Sequence, residues 1–162
     1  MSSDLGLDLV REFHDAFDVD MPSRPTIPDE PVHTSLLIFQ QRAAELAESL
    51  RVAAGEAGGS ILLLRLHLIQ EELAELALSF VNRDLVECLD ALTDLSYVLD
   101  GAWLVTGMGH LKEAALREVH RSNMSKLDTN GRPMRGAGGR VLKSDQYSPP
   151  DLAALLHDER GR

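Results

Sequence analysis

The sequence predicts an all-α protein, and three observations lead to that prediction. Aromatic residues make up only 4% of the chain while 44% of residues are hydrophobic, so the core must consist mainly of Leu, Ala, Val and Ile. This composition favours helices over sheets. Apolar residues recur at helical spacing along most of the chain. A length of 162 residues suits one domain, and we expect residues 1–162 to form it.

The N-terminal part contains two predicted helices separated by an extended connection. Residues 4–18 place apolar side chains at helical spacing and predict a short amphipathic helix. Residues 18–31 contain four prolines, which predicts an extended segment. Thr34 or Ser35 is then expected to cap a helix that runs to about Ala54, where a glycine-rich stretch ends it.

The next two predicted helices form the centre of the sequence. They run from about Ser60 to Asn82 and from about Asp84 to Thr106, and a break this short predicts an antiparallel hairpin. The single cysteine, Cys88, excludes an internal disulfide and is predicted to be a small core residue. The apolar face of the first helix is predicted to consist of Leu62, Leu66, Ile69, Leu73, Leu76 and Phe80.

The C-terminal part changes from helical to irregular and basic. A helix is predicted from about His110 to Asn123, and a short one from Asp151 to about Leu156. Between them, residues 127–150 are rich in glycine and positive charge, which predicts an irregular, mobile loop that suits a polyanion such as a nucleoside triphosphate. A plain solvated loop remains the alternative.

Each helix of the central hairpin carries a stripe of acidic residues beside its apolar face. At 100° per residue, the acids fall within about 100° of arc on the first helix and about 60° on the second. Like charges held together repel, and divalent cations with oxygen ligands relieve that cost, with Mg²⁺ as the default. Solvent-facing acids without a metal are the alternative. The six acids are Glu71, Glu72, Glu75, Glu87, Asp90 and Asp94.

Several classes of function are disfavoured. A formal net charge of -10 argues against nucleic-acid and membrane-surface binding, and the absence of a signal-like or membrane-length apolar stretch predicts a cytoplasmic protein. The sequence lacks the common phosphate-loop, nucleophile-elbow and HExxH patterns. His67, one turn before Glu71, is predicted to lie on the helix surface. Any chemistry is therefore expected to be metal-assisted hydrolysis.

These motifs resemble those of a known family. EELAE at Glu71–Glu75, followed by DALTDLSYVLDG at Asp90–Gly101, resembles the MazG-like all-α nucleoside triphosphate pyrophosphohydrolases, whose signature is ExxE on one helix and ExxD on the next. EVHRSNMSK at Glu118–Lys126 and GGRVLKSDQYSPPDL at Gly138–Leu152 resemble its small branch, which includes dimeric dUTP-hydrolysing members of the phosphoribosyl-ATP pyrophosphohydrolase-like superfamily. Residues 32–59 lie outside the resemblance and are expected to be an inserted helix.

The resemblance implies a fold and a set of site residues. The fold would be a MazG-like helical bundle of four core helices with an added N-terminal helix, assembled as a homodimer. Ala91 stands where the signature has the first acid of ExxD, so that Asp90 or Glu87 would replace it. The implied metal ligands are Glu72, Glu75, Asp90 and Asp94, with Glu87 in reserve. The implied catalytic residues are Glu71 and Glu72. The implied substrate-binding residues are Asn123, Lys126, Lys143, Arg65 and Tyr97.

The implied activity is Mg²⁺-dependent hydrolysis of a nucleoside or deoxynucleoside triphosphate, with Mn²⁺ as the alternative ion. Metal-activated water would attack the α-phosphorus and release pyrophosphate from dUTP or another non-standard nucleotide. Three alternatives remain open. They are a phosphoribosyl-ATP pyrophosphohydrolase, a non-catalytic helical interaction module, which Ala91 keeps open, and a di-iron bundle, which the lack of ExxH pairs disfavours.

Overall fold

The computed structural model of the protein describes residues 4–137 and 140–160. Within them the chain is helical, and the only β structure is two isolated bridges, so the predicted all-α class is confirmed. No helix among these residues has the length and apolarity needed to span a bilayer. Gly138 and Gly139, which belong to the predicted basic loop, lie outside the described residues. The helices are α1 (Leu5–Ala16), α2 (Thr34–Glu56), α3 (Ile61–Asn82), α4 (Leu85–Val105), α5 (Lys112–Met124) and α6 (Leu152–Arg160).

The chain divides into two compact units. One contains the chain up to Met21 together with everything from His110 onward, and the other is Pro22–Gly109. That the whole chain forms one domain stays a prediction. We refer to Pro22–Gly109 as the central unit and to the remainder as the terminal unit.

The central unit is built from α2, α3 and α4, with α3 packed against both neighbours. The Ser60 hydroxyl caps the start of α3, and the Asp84 carboxylate accepts hydrogen bonds from the Val86 and Glu87 backbone N–H groups at 2.9 and 3.2 Å. Between them, Arg83 adopts the left-handed conformation (φ 56°) that ends α3. These caps confirm the predicted hairpin. At the start of α2 the cap is His33, whose Nδ1 accepts from the Ser35 N–H at 3.1 Å, rather than Thr34 or Ser35.

Small residues rather than leucines form the contact between α2 and α3. The predicted apolar face of α3 was wrong at Leu62 and Leu66, which are 65% and 54% exposed. Helices joined through alanines approach closely, which leaves the larger side chains at the edges of the contact rather than between the helices. The buried hydrophobic residues of these two helices are Ala43, Ala47, Ala54, Ala74 and Ala77.

The extended connection is held at the corner of the hairpin. Arg83 donates to the backbone carbonyls of Pro28 and Glu30, and its Nη1 lies 3.4 Å from an Asp29 carboxylate oxygen. The proline-rich segment thus follows the predicted extended path, and its inner end is tied to the turn between α3 and α4.

The terminal unit is organised around contacts of α5 with α1 and α6. Phe17 is completely buried and stacks on Phe13 with 4.1 Å between ring centroids. The basic loop is irregular as predicted, but its turns are hydrogen-bonded. Asp128 Oδ1, for example, accepts from the N–H groups of Asn130 and Arg132, both at 2.8 Å. The last helix, α6, extends to Arg160, well beyond the predicted end.

A substitution in the alanine contact tests this packing. We expect Ala43→Leu to destabilise the protein by about 1–3 kcal/mol, because a larger side chain must be forced between α2 and α3. The exposed neighbour Ala44 provides the matched control, and Ala44→Leu should change stability by less than about 0.5 kcal/mol. Urea unfolding followed by circular dichroism would measure both. Equal effects of the two substitutions would contradict the assigned packing.

Candidate active site

The hairpin of α3 and α4 sets the acidic residues of the two helices side by side. Glu72 and Asp94 lie at equal sequence distances on either side of Arg83, as do Arg65 and Gly101. In an antiparallel pair with so short a turn, such positions face one another. The closeness of Arg65 to Gly101 agrees with this register, because a Cβ built on Gly101 would lie 2.6 Å from the Arg65 Nη1.

Glu72 is the most perturbed acid of the hairpin. Its Oε2 is buried and accepts no hydrogen bond from any residue the structure describes. Desolvation raises the pKa of Glu72 from its ordinary 4.5 to about 7, and repulsion adds to this effect. The repelling carboxylates are those of Glu75, Asp94, Glu71 and Asp90.

Glu75 is perturbed in the same direction. Desolvation again contributes most to its raised pKa, followed by repulsion from Glu71, Asp90, Asp94 and Glu87. The structure therefore brings all six predicted acids into one electrostatic cluster, which we call the acid cluster. Asp90 raises the pKa of both Glu72 and Glu75, whereas Glu87 contributes only to Glu75.

The carboxylates of the acid cluster are near one another without forming a closed metal cage. Among the side chains that the structure describes, no three His, Cys, Asp or Glu residues lie close enough to hold one metal ion. Ala91 is only 2% exposed, so this position serves helix contact and its side chain is withdrawn from solvent. The acid cluster nonetheless has the right ligand type for a hard divalent cation, because such ions prefer carboxylate oxygens. One of these oxygens, Glu72 Oε2, is buried and lacks a hydrogen-bond partner among the described residues.

Two predicted substrate-binding residues belong to the same unit. Arg65 has a buried Nε without a hydrogen-bond partner among the described residues, and its Nη1 lies against the α4 backbone at Gly101, where any side chain would collide with it. Tyr97 on α4 is 79% exposed, so it is not a core residue.

A groove of about 270 Å³ lies between α2 and α3 beside the acid cluster. Glu71 and Glu75 line it together with Gln40, Glu48 and His67. His67 is 7% exposed, so its predicted place on the helix surface was wrong. The alanines of the α2–α3 contact leave room for its ring, and its Nδ1 lies 3.1 Å from the Ala47 carbonyl oxygen.

The other predicted substrate-binding residues meet in the terminal unit. Lys126 Nζ donates to Asn123 Oδ1 at 2.7 Å, and Lys143 Nζ lies 4.0 Å from the centroid of the Tyr147 ring. A hydrogen bond with Ser122, together with the hydrogen bond and charge of Lys143 and the charge of Lys126, lowers the pKa of the Tyr147 hydroxyl. No role was predicted for Tyr147 from the sequence. The one feature of the sequence that could have indicated Tyr147 was its position in the SDQYSPP segment, which resembles the family.

Several basic residues near this loop are already engaged within the chain. Arg117 pairs with Glu113 at 2.9 Å, Arg121 pairs with Glu118 at 2.8 Å, and Arg135 donates to a backbone carbonyl. Fewer positively charged side chains are therefore available to a polyanion than the sequence suggested, and two of those that remain, Lys126 and Lys143, act on Tyr147.

A family model decides the class of protein. The model for phosphoribosyl-ATP pyrophosphohydrolase matches residues 37–123, which is more than half of the chain. The chain belongs to this family. It is accordingly a nucleotide pyrophosphohydrolase, an enzyme of the hydrolase class, as the MazG-like motifs predicted. The matched range takes in most of α2, which falls in the segment predicted to be an insertion.

A solved structure supports the fold of this pyrophosphohydrolase. It is the crystal structure of a candidate NTP pyrophosphohydrolase from Exiguobacterium sp. 255-15, which is 22% identical and superposes with a TM-score of 0.58. The similarity covers 99% of this chain and 97% of the other, which confirms the MazG-like all-α fold. A search of curated proteins gave no match.

The acid cluster predicts an unusual pH dependence of stability. Because the pKa of Glu72 is higher in the folded than in the unfolded chain, folding takes up a proton between about pH 4.5 and 7, and stability falls as pH rises through this range. Without divalent cations, we expect Glu72→Gln to weaken this fall and to stabilise the protein at pH 8. The gain should stay within about 1 kcal/mol because water screens the partly open site.

Thermal unfolding between pH 5 and 8 in EDTA would measure this effect. Glu45→Gln, at an exposed position of α2 outside the acid cluster, is the control and should follow the wild type. A Glu72→Gln profile parallel to the wild type would show that Glu72 is not strained by the cluster.

Proposed function

We propose that this pyrophosphohydrolase converts a nucleoside triphosphate to the monophosphate and pyrophosphate at the acid cluster of α3 and α4. The observation that carries the proposal is the buried, unpartnered Oε2 of Glu72, surrounded by carboxylates that raise its pKa. Strongly perturbed acids of this kind are typical of catalytic and metal-binding sites. Membership of the pyrophosphohydrolase family supports the same reaction.

In this proposal, Glu72, Glu75, Asp90 and Asp94 hold Mg²⁺, with Mn²⁺ as the alternative ion. Asp90 is favoured over Glu87 as the replacement for the acid missing at Ala91, because Asp90 interacts with both Glu72 and Glu75. Bound Mg²⁺ would offset the charge of the triphosphate and lower the pKa of water. Binding requires the carboxylates to turn toward one another, since they do not form a cage in the described residues.

The chain's own groups then act on water and phosphate. We assign to Glu71, and with it Glu72, the orientation of a water whose oxygen attacks the α-phosphorus while its proton passes to a carboxylate. The α–β anhydride bond breaks and pyrophosphate leaves. We assign to the Arg65 guanidinium, whose Nη1 lies against Gly101, a hydrogen bond to a phosphate oxygen.

The terminal unit carries polar groups of its own that suit a nucleotide, and we call Asn123, Lys126, Lys143 and Tyr147 the Tyr147 cluster. Asn123, Lys126, Lys143 and Tyr147 together offer two ammonium groups, an amide and a hydroxyl, which are suitable partners for phosphate and sugar oxygens. The exposed ring of Tyr97 is assigned a contact with the base or sugar.

The nucleotide itself is proposed to be dUTP or another non-standard deoxynucleotide. Phosphoribosyl-ATP is the second candidate, which the description of the matched family favours. Both substrates present a triphosphate, so the acid cluster would act on them in the same way. A cytoplasmic location stays a prediction.

Pyrophosphate release from a panel of nucleotides tests the reaction. The panel contains dNTPs, NTPs, dUTP and phosphoribosyl-ATP, each with Mg²⁺, Mn²⁺ or EDTA. We expect release that depends on the metal and that falls by more than about 100-fold in Glu75→Gln and Asp94→Asn, because each removes a ligand charge. Glu45→Gln should release pyrophosphate at the wild-type rate. Metal-independent release, or full activity in both ligand variants, would exclude the acid cluster as the site.

We also propose that the protein is a homodimer that covers the outer side of α4. Val86, Leu89 and Leu104 are 69–74% exposed and fall within about 60° of arc on this helix, a face that also contains Thr93 and Asp100. The buried residues Cys88 and Ala91 lie on its opposite side. Large apolar side chains exposed on one face of a helix are typical of a surface that another chain covers.

Light scattering after size exclusion tests the assembly. We expect wild type to have twice the mass of one chain, and the double variant Leu89→Lys, Leu104→Lys to have the mass of one chain, because two ammonium groups would be buried without partners. Leu7→Lys, at an exposed position of α1, is the control and should remain dimeric. A monomeric wild type at micromolar concentration would contradict the dimer.

A further inference from the structure

The ring of His67 has a fixed hydrogen-bonding pattern. His67 is 7% exposed in the α2–α3 contact, and its Nδ1 lies 3.1 Å from the carbonyl oxygen of Ala47. A carbonyl oxygen can only accept, so Nδ1 must carry the proton. Nε2 is therefore the nitrogen left to interact with other groups, and the backbone of α2 decides which nitrogen this is.

This second nitrogen faces the acid cluster. Nε2 lies 3.7 Å from Oε2 of Glu71, one helical turn further along α3, and both residues line the α2–α3 groove. Glu48 from α2 and Glu75 from α3 are the other acids of this groove. The Glu71 side chain is 43% exposed, so it has room to turn, whereas the ring is locked by burial and by its bond to Ala47.

We propose that His67 is a positioning residue that orients the Glu71 carboxylate, and this role rests on the proposed function of Glu71. An imidazolium ring donates through both nitrogens, so a protonated His67 keeps its bond to Ala47 and directs an N–H toward the Glu71 carboxylate. A small rotation of Glu71 closes the gap of 3.7 Å to hydrogen-bond distance. The chain Ala47–His67–Glu71 thus connects the backbone of α2 to the group that orients water, as outer partners do for catalytic side chains elsewhere.

A purely structural role for His67 would look different. Gln70 makes a second hydrogen bond across the same contact, from its Nε2 to the Ala43 carbonyl oxygen at 3.4 Å. If His67 only joined the helices, it would act as Gln70 does, and its loss would change stability rather than turnover. Gln70→Met is therefore the matched control.

Two substitutions separate the two nitrogens of the ring. The amide of Asn takes the place of Nδ1, so His67→Asn keeps a donor for Ala47 but does not reach Glu71. The amide of Gln takes the place of Nε2, so His67→Gln reaches Glu71 and loses the bond to Ala47. Thermal unfolding is measured beside kcat and KM for Mg²⁺-dependent pyrophosphate release, with the panel nucleotide that wild type turns over fastest.

We expect His67→Asn to lower kcat by about 10–100-fold with KM close to wild type, while Tm falls only modestly from the lost ring volume. His67→Gln should regain part of kcat while its Tm falls, and Gln70→Met should lower Tm with kcat unchanged. Wild-type kcat in His67→Asn, or a kcat that follows Tm across all three variants, would overturn the positioning role.

Nitrogen NMR of the imidazole side chains gives a readout that does not depend on turnover. The His67 resonances, assigned by their loss in His67→Asn, should show a protonated Nδ1, and the Nε2 resonance should shift in Glu71→Gln. An unshifted Nε2 would overturn the contact itself. If wild type releases pyrophosphate from no nucleotide, the proposed function fails and the positioning role fails with it, whereas an active wild type with an active His67→Asn refutes only the role of His67.

Discussion

Repulsion among carboxylates that the α3–α4 hairpin holds together is the constraint on which the rest of the structure depends. The hairpin has no freedom to separate them, because Arg83 and Asp84 make the turn too short for the helices to diverge. Burial of Glu72 Oε2 increases the cost, since the oxygen loses water without gaining a donor among the described residues. The hairpin must therefore be stabilised elsewhere, and α2 supplies that packing through alanines that let it approach α3 closely. Strain at the site and close packing behind it are two parts of one arrangement.

This arrangement explains why the acids are suited to proton transfer and to binding cations. A carboxylate whose pKa lies near 7 can exchange a proton at neutral pH, and a group of carboxylates that repel one another attracts cations. Neutralising each acid with a lysine or arginine of the same hairpin would remove the repulsion and the attraction together. On α3 the positively charged side chain is Arg65. Gly101 leaves space for its guanidinium against α4. Stability is thus reduced locally at the proposed site, as is common at active sites.

The sequence was sufficient for what local rules determine. Ser60 and Asp84 cap α3 and α4 as expected of helix-capping residues, and the spacing of the acids placed all six in one cluster. The sequence was insufficient where burial of a residue depends on which side of its helix packs against a neighbouring helix. Leu62 and Leu66 satisfy the same periodicity as buried leucines, yet α2 presents alanines to another side of α3 and takes His67 into the contact. Tyr147 could not be predicted either, because its partners Ser122 and Lys143 meet it only through tertiary folding of the basic loop.

The burial of His67 connects the packing of α2 to the acid cluster. A surface histidine would leave Glu71 free to rotate, and α2 would then serve only to cover α3. With Nδ1 committed to Ala47, the position of α2 along α3 also sets where Nε2 stands relative to the Glu71 carboxylate. The alanines matter for the same reason, because a wider contact would move Ala47 beyond hydrogen-bond reach of the ring. The alanines of the α2–α3 contact therefore help to set the geometry of the proposed site, although none of them carries a functional group.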